Sequence, residues 1–91
     1  MSDERHTVMA LNAIQHIAAD EHLLGAFVQQ AGVSPDVFRA RIMEPEFQAG
    51  IMDFIMSDEQ VALDFCAAFG HPPESLKQVR RALPGAGMDY Y

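Results

Sequence analysis

The sequence has few of the residues on which several large classes of protein depend. Its 91 residues include one cysteine and no tryptophan, and six lysines and arginines stand against thirteen aspartates and glutamates. A lone cysteine forms no internal disulfide, so a disulfide-rich secreted domain is excluded. The formal net charge of −7 repels phosphate groups, which argues against nucleic acids and anionic membranes as partners. We therefore expect a cytoplasmic protein that binds neither nucleic acid nor membrane.

Long apolar runs and strand patterns are also missing. The stretch MSDERHTVM has no basic segment followed by an apolar one, so we expect no secretory signal. No apolar run approaches the roughly 20 residues that a membrane helix needs. Alternating β-branched residues and Asn-Gly or Asp-Gly turns are absent, which argues against a sheet. What is present is a chain with 49% hydrophobic residues, enough for one packed core.

Helix-capping residues divide the chain into six short amphipathic segments. Aspartate, serine and proline stand where these segments begin, and Gly32 and Gly70 stand where two of them end. Ser57 with Gln60 matches a capping box for the fifth segment. Residues 84–91 show no periodicity, and we predict a flexible tail there. The predicted helices lie at about 7–19, 21–31, 35–42, 45–56, 58–69 and 73–83.

The sequence therefore predicts an all-α fold, a compact bundle of about six short helices in a single domain over residues 1–91.

Residues 20–39 align with residues 58–77, with identical aspartate, glutamate, phenylalanine, glycine and proline. Two interpretations stay open. Either the chain contains an internal repeat, with three-helix halves at about 7–44 and 45–83, or two helical hairpins share the same cap chemistry.

The stretch AGVS at residues 31–34 resembles the turn of a DNA-binding helix-turn-helix motif. That motif needs a small residue four positions before the glycine, where this chain has Val28. It also needs an apolar residue nine positions after the glycine, where this chain has Arg41. The helix that would read DNA begins with Pro35 and Asp36, and this carboxylate would face phosphates. We interpret AGVS as a helix end followed by an N-cap serine, and DNA binding is disfavoured.

Reactive side chains are scattered and form no recognised motif. His16 and Asp20 are spaced i, i+4 with His22 nearby and could ligate a metal, but they straddle a helix boundary and no HExxH pattern or Cys/His cluster supports them. The acid pairs at 20–21 and 58–59 stand at helix starts, where they complement the helix dipole. His16 lies near a predicted helix end, and we expect it to face solvent. Cys66 lies on the apolar stripe of its helix, which predicts a buried thiol and not a nucleophile. We predict no catalytic residue, no metal site and no cofactor.

The methionines are the more suggestive feature. Met43, Met52 and Met56 lie in or beside the predicted fourth helix, and Arg39 and Arg41 precede it. Filling of the core is the more usual role of such methionines, and the alternative is an adaptable apolar groove for a partner helix, which flexible thioethers suit. These five residues are our candidates for partner binding. The partner would be another protein or a second copy of the chain.

Four spaced motifs cover most of the chain. They are A-x-D-E-x-L-L-x-x-F ending at Phe27, G-x-x-P-x-x-x-R-x-R from Gly32, D-F-x-x-x-D-E from Asp53, and F-C-x-x-x-G from Phe65. With these motifs the chain resembles a family of short alphaproteobacterial proteins known only as a domain of unknown function. It departs from the family pattern at Pro72, where an aspartate is usual. The resemblance implies a bacterial cytoplasmic protein with an all-α fold, and it brings no activity.

The sequence leaves two classes of function open besides DNA binding. The first is a protein-interaction or regulatory adaptor module without catalytic activity. The second is a protein or enzyme that binds a small molecule or a metal through its histidines and acids. An apolar pocket into which several of those groups converge would favour the second class. We expect the first, because no reactive set converges in the sequence.

Overall fold

A computed structural model of the protein describes residues 5–83. This part of the chain holds six helices and no strand, so the predicted all-α fold is confirmed. None of these helices is both long and apolar enough to cross a membrane. The predicted tail, 84–91, lies outside the described residues. The helices are α1 (Arg5–Ala18), α2 (Glu21–Ala31), α3 (Pro35–Ala40), α4 (Pro45–Met56), α5 (Glu59–Phe69) and α6 (Ser75–Arg81).

Helices α1 and α4 form the centre of the bundle. Helix α4 packs against α1, α5 and α6, because apolar residues cover more than one of its faces. Burial of each large apolar side chain contributes roughly 1.5–3 kcal/mol relative to leaving it exposed. The largest side chains with almost no exposed surface are Phe65, Ile17, Ile51, Met52 and Ile55. Three of these five belong to α4, so this helix supplies much of the core.

Equivalent caps begin and end α2 and α5. The Oδ1 atom of Asp20 accepts the backbone N–H groups two and three residues further on, at 2.9 and 3.2 Å. Asp58 makes the same two bonds at the start of α5, at 2.9 and 3.3 Å. Gly32 and Gly70 end these helices in the left-handed conformation, with φ of 71° and 74°. The two segments therefore share local geometry, and their origin by duplication stays a prediction.

The start of α5 differs from the predicted capping box. Ser57 ends α4, where its Oγ donates to the carbonyl of Phe54 at 2.7 Å. The side chain of Gln60 donates to Asp64 at 2.9 Å and does not reach back to a cap. The predicted box of Ser57 and Gln60 is therefore wrong. Asp58 is the N-cap, since its ionised carboxylate is a stronger acceptor than a serine hydroxyl.

The joints before α3 and α6 also differ, although both contain an aligned proline. Ser34 caps α3, and its Oγ accepts the backbone N–H three residues further on at 3.2 Å. Before α6 no side chain caps the helix. Instead Ser75 Oγ donates to the carbonyl of Pro72 at 2.6 Å, and the helix begins at Ser75. The predicted start at Pro73 is early because a turn occupies that residue and the next.

Loss of the α5 cap tests this assignment. We expect Asp58→Ala to lower the free energy of unfolding by about 1 kcal/mol, because two backbone amides lose their acceptor. Ser57→Ala should cost about half as much or less, since the carbonyl it leaves can bind water. Chemical denaturation of both variants beside the wild type measures the two losses. A larger loss of unfolding free energy in Ser57→Ala would contradict this assignment and indicate that Ser57 is the N-cap of α5.

Candidate partner-binding groove

An open groove of about 760 Å³ lies between the C-terminal half of α2 and the outer face of α4. Its apolar floor is formed by Phe27 of α2 with Phe47 and Phe54 of α4. Arg41 lies at the end nearer α3, and Met56 lies at the end nearer α5. We call this feature the α2–α4 groove. Its volume falls in the range of roughly 300–1,000 Å³ that is usual for binding sites in proteins.

A cluster of four phenylalanines fixes the floor of the groove. The ring of Phe27 lies 5.6, 5.7 and 5.3 Å from those of Phe38, Phe47 and Phe54. Phe38 and Phe47 lie 5.5 Å apart, and all four pairs have the edge-to-face geometry that aromatic rings prefer. Phe54 is only partly buried, whereas the other three are buried. Phe54 therefore presents ring surface to the groove.

Gly50 leaves a gap in the α4 wall of the groove. A Cβ atom built at this position would meet nothing within 4 Å, so no contact in residues 5–83 requires a glycine there. Glycine inside a helix costs about 0.5–1 kcal/mol relative to alanine. Glu46 lies one turn before Gly50 and Asp53 one turn after it, and all three line the groove. The gap is thus open to the groove and bordered by two carboxylates.

Arg41 closes the end of the groove nearest α3. Its Nε lies 2.8 Å from Oε1 of Glu44, and its guanidinium lies 5.4 Å from the centre of the Phe47 ring. These contacts combine an ion pair with a cation–π interaction. Glu46, one of the acids on the α4 wall, forms no ion pair within the described part of the chain. Its carboxylate remains available to a partner.

An ion pair holds the α4 wall against α6. Arg80 donates from Nε to Asp53 Oδ1 at 2.7 Å and from Nη2 to Oδ2 at 3.2 Å. The Arg80 side chain is 7% exposed, whereas that of Asp53 is 45% exposed. Sequence reasoning missed this pair because its members are far apart in the chain. One sequence feature could have indicated the pair: Arg80 occupies an inward position of α6 among the buried residues Val79 and Leu83, and a buried arginine needs an acidic partner.

The five candidate residues from the sequence do not form one surface. Met56 and Arg41 line the groove. Met52 is 0% exposed and lies in the core, so its assignment to a binding surface is corrected: its side chain faces inward from α4. Met43 is 63% exposed but lies outside the groove lining. Arg39 also lies outside it and pairs with an aspartate of its own helix at 2.7 Å.

Two histidines pack against the aromatic rings of α5. His16 contacts Phe65 and Phe69 edge-on, with ring centres 5.6 and 6.1 Å apart. His71 lies 5.6 Å from Phe65, and its Nε2 is 3.2 Å from the side-chain nitrogen of Asn12. His16 is half-buried, because its ring packs against α5, so the expectation that it faces solvent is correct only for part of the side chain. Among residues 5–83 no three His, Cys, Asp or Glu side chains are grouped to hold a metal ion.

Cys66 is buried, as its position on the apolar stripe predicts. Burial raises the pKa of the Cys66 thiol, and the nearby carboxylate of Glu74 raises it further. Both effects disfavour the thiolate, which is the reactive form. The side chain therefore serves as a small apolar core residue.

The fold and the groove define a helical protein with an open, aromatic-floored surface site. The chain belongs to the family described as Protein of unknown function (DUF3572), whose model matches residues 3–86. The resemblance to a domain of unknown function is thus confirmed. No curated protein and no solved structure matches the chain. The family description assigns no activity.

The ion pair of the α4 wall should respond unequally to loss of its two members. We expect Asp53→Asn to lower the free energy of unfolding by about 2 kcal/mol, because the buried Arg80 guanidinium loses its charged acceptor. Arg80→Met should cost about 1 kcal/mol, since the Asp53 carboxylate can be hydrated and methionine fills the space. Denaturant titration of both variants measures this asymmetry, and equal losses would contradict it.

Cys66 should resist thiol reagents in the native protein. We expect labelling at neutral pH to be at least about tenfold slower than in denaturant, because access requires opening of the core. Since the folded-state pKa of the thiol lies above its unfolded value, its contribution to stability is complete below the unfolded pKa. That contribution is lost as pH rises toward the folded pKa.

The unfolding free energy of the wild type should therefore fall more steeply above about pH 8.5 than that of Cys66→Ala. Reagent kinetics and denaturation at two pH values measure both effects. Rapid native labelling would show that the thiol is accessible.

Proposed function

We propose that the protein is a non-catalytic, cytoplasmic protein-interaction module whose α2–α4 groove binds the apolar face of a helix from a basic partner protein. The observation that carries this proposal is the gap at Gly50 in the wall of an aromatic groove. Nothing in the described part of the chain fills that gap. Open apolar grooves with polar rims are typical of sites that receive an amphipathic helix.

The charge of the chain supports a basic partner. Each copy carries a formal charge of −7, so two copies repel one another, and nucleic acid is repelled as well. A positively charged helix is attracted instead, which raises the rate of encounter and selects among partners. A helix of another protein is therefore a better occupant of the groove than a second copy of this chain. The lone buried thiol suits a reducing compartment such as the cytoplasm.

A catalytic role has less support. The charged side chains at the groove are Arg41, Glu46 and Asp53, and two of them are already paired with other residues. Among the described residues, the histidines and Cys66 lie outside the groove lining. The aromatic floor and the gap suit a side chain that is held and not transformed. We therefore favour binding over a small-molecule or metal-dependent activity.

Selection from a library of displayed 16-residue peptides tests the proposal without knowledge of the natural partner. We expect the protein to enrich peptides with apolar residues at helical spacing. Gly50→Leu should weaken their binding at least about tenfold, because its side chain fills the gap that the peptide would occupy. Gly25→Leu is the matched control. Gly25 also lies in a helix, has open space at its Cβ position, and is outside the groove lining.

Titration calorimetry of the selected peptides against both variants measures the effect. Gly50→Ala should raise the free energy of unfolding by about 0.5–1 kcal/mol, which shows that the position tolerates a side chain. Enriched peptides that bind Gly50→Leu as well as the wild type would contradict the proposal. Failure to enrich any helical peptide would also contradict it.

A further inference from the structure

We infer that the groove recognises an arginine or lysine side chain of the partner helix, held at the gap of Gly50 between Glu46 and Phe54. This inference rests on the proposed function and specifies the type of partner residue that the groove recognises. The aliphatic stem and the charged end of a cationic side chain bind different kinds of surface. Its aliphatic stem packs against apolar surface, and its charged end needs a carboxylate or an aromatic face. The Glu46 carboxylate lies one turn of helix before the gap, and the partly exposed Phe54 ring lies one turn after it.

The geometry of α4 places these groups together. Glu46, Gly50 and Phe54 follow one another at intervals of four residues, so they lie on one face of the helix and all line the groove. The missing side chain at Gly50 leaves room for an aliphatic stem between the carboxylate and the partly exposed ring. Asp53 also borders the gap, and its charge adds to the negative potential there although Arg80 is bound to it.

The protein already holds one guanidinium in the same way. Arg41 lies over the ring of Phe47 at 5.4 Å and pairs with Glu44 at 2.8 Å, at the end of the same groove. An aromatic ring and a carboxylate therefore bind an arginine on this surface. Phe54 and Glu46 provide an aromatic ring and a carboxylate one turn of helix to either side of Gly50, about 12 Å apart along the helix axis. A partner side chain would complete the second arrangement.

A neutral helix fits this site less well. It would cover the floor of the groove and take water away from the Glu46 carboxylate without providing a new partner for its charge. An acidic helix would add repulsion to that cost. A cationic side chain removes the cost, and Arg has an advantage over Lys because its planar guanidinium both stacks on a ring and forms paired hydrogen bonds to a carboxylate.

Substitution within the strongest selected peptide tests the inference. Each of its arginines would be replaced by citrulline, and each lysine by norleucine, so that the charge is removed while most of the shape remains. We expect one such change to weaken binding to the wild type by roughly fivefold to tenfold, from the loss of one ion pair and one cation–π contact. Binding by Glu46→Gln should be weak for the charged peptide and should no longer differ between the two peptides.

Glu21→Gln is the matched control. Glu21 also stands in the first turn of a helix, its removal changes the net charge equally, and it lies outside the groove lining. It should preserve the difference between the charged and neutral peptides. The salt dependence of binding should decrease in Glu46→Gln and remain in Glu21→Gln.

The possible outcomes separate this inference from the proposed function. Selected peptides without Arg or Lys, or equal affinity for charged and neutral peptides, would overturn the inference. If those peptides still fail to bind Gly50→Leu, the groove remains the binding site. A cationic preference that survives in Glu46→Gln would also overturn the inference, because another acid would then be the acceptor. Selected peptides that bind equally well to Gly50→Leu would overturn both proposals.

Discussion

The burial of α4 is the constraint on which the rest of the molecule depends. Ile51, Met52 and Ile55 are buried, so the helix can rotate about its axis only at the cost of exposing them. The orientation of α4 about its own axis determines which of its residues face away from the core. Glu46 and Gly50 lie on the strip opposite those side chains, and this strip forms a wall of the groove. The core packing of α4 therefore sets the geometry of this wall, and Val33 and Arg41 from the segments on either side of α3 complete the lining.

The groove shares its floor with the core. Phe27 contacts Phe38, Phe47 and Phe54, and so joins α2 and α3 to α4 through one ring. Movement of one ring would disturb the edge-to-face contacts of its neighbours, so the cluster constrains the floor. In the proposed function, a constrained floor would limit the conformational entropy lost on binding. A substitution in the floor would then change folding and binding together, whereas substitutions at Gly50 and Glu46 would separate the two effects.

Most features that depend on neighbouring residues could be predicted from the sequence, although the capping box at Ser57 and the start of α6 were wrong. Features that depend on distant residues could not be predicted. The six helices and the glycine ends at Gly32 and Gly70 follow from local rules, so they were found. Met52 and Met56 stand one turn apart in α4, yet one is buried in the core and the other lines the groove. That difference depends on where α1, α2 and α5 pack. The pairing of Arg80 with a residue of α4 has the same cause.

Helix α3 is attached to the bundle mainly through one side chain. Phe38 is its buried residue, and the other five residues of Pro35–Ala40 are exposed. Exposed positions of this kind accept substitution at little cost to folding. The positions of α3 other than Phe38 can therefore change in charge and shape while the phenylalanine cluster beneath the groove is preserved. Helix α3 is thus the helix whose outer surface is constrained least by the packing of the core.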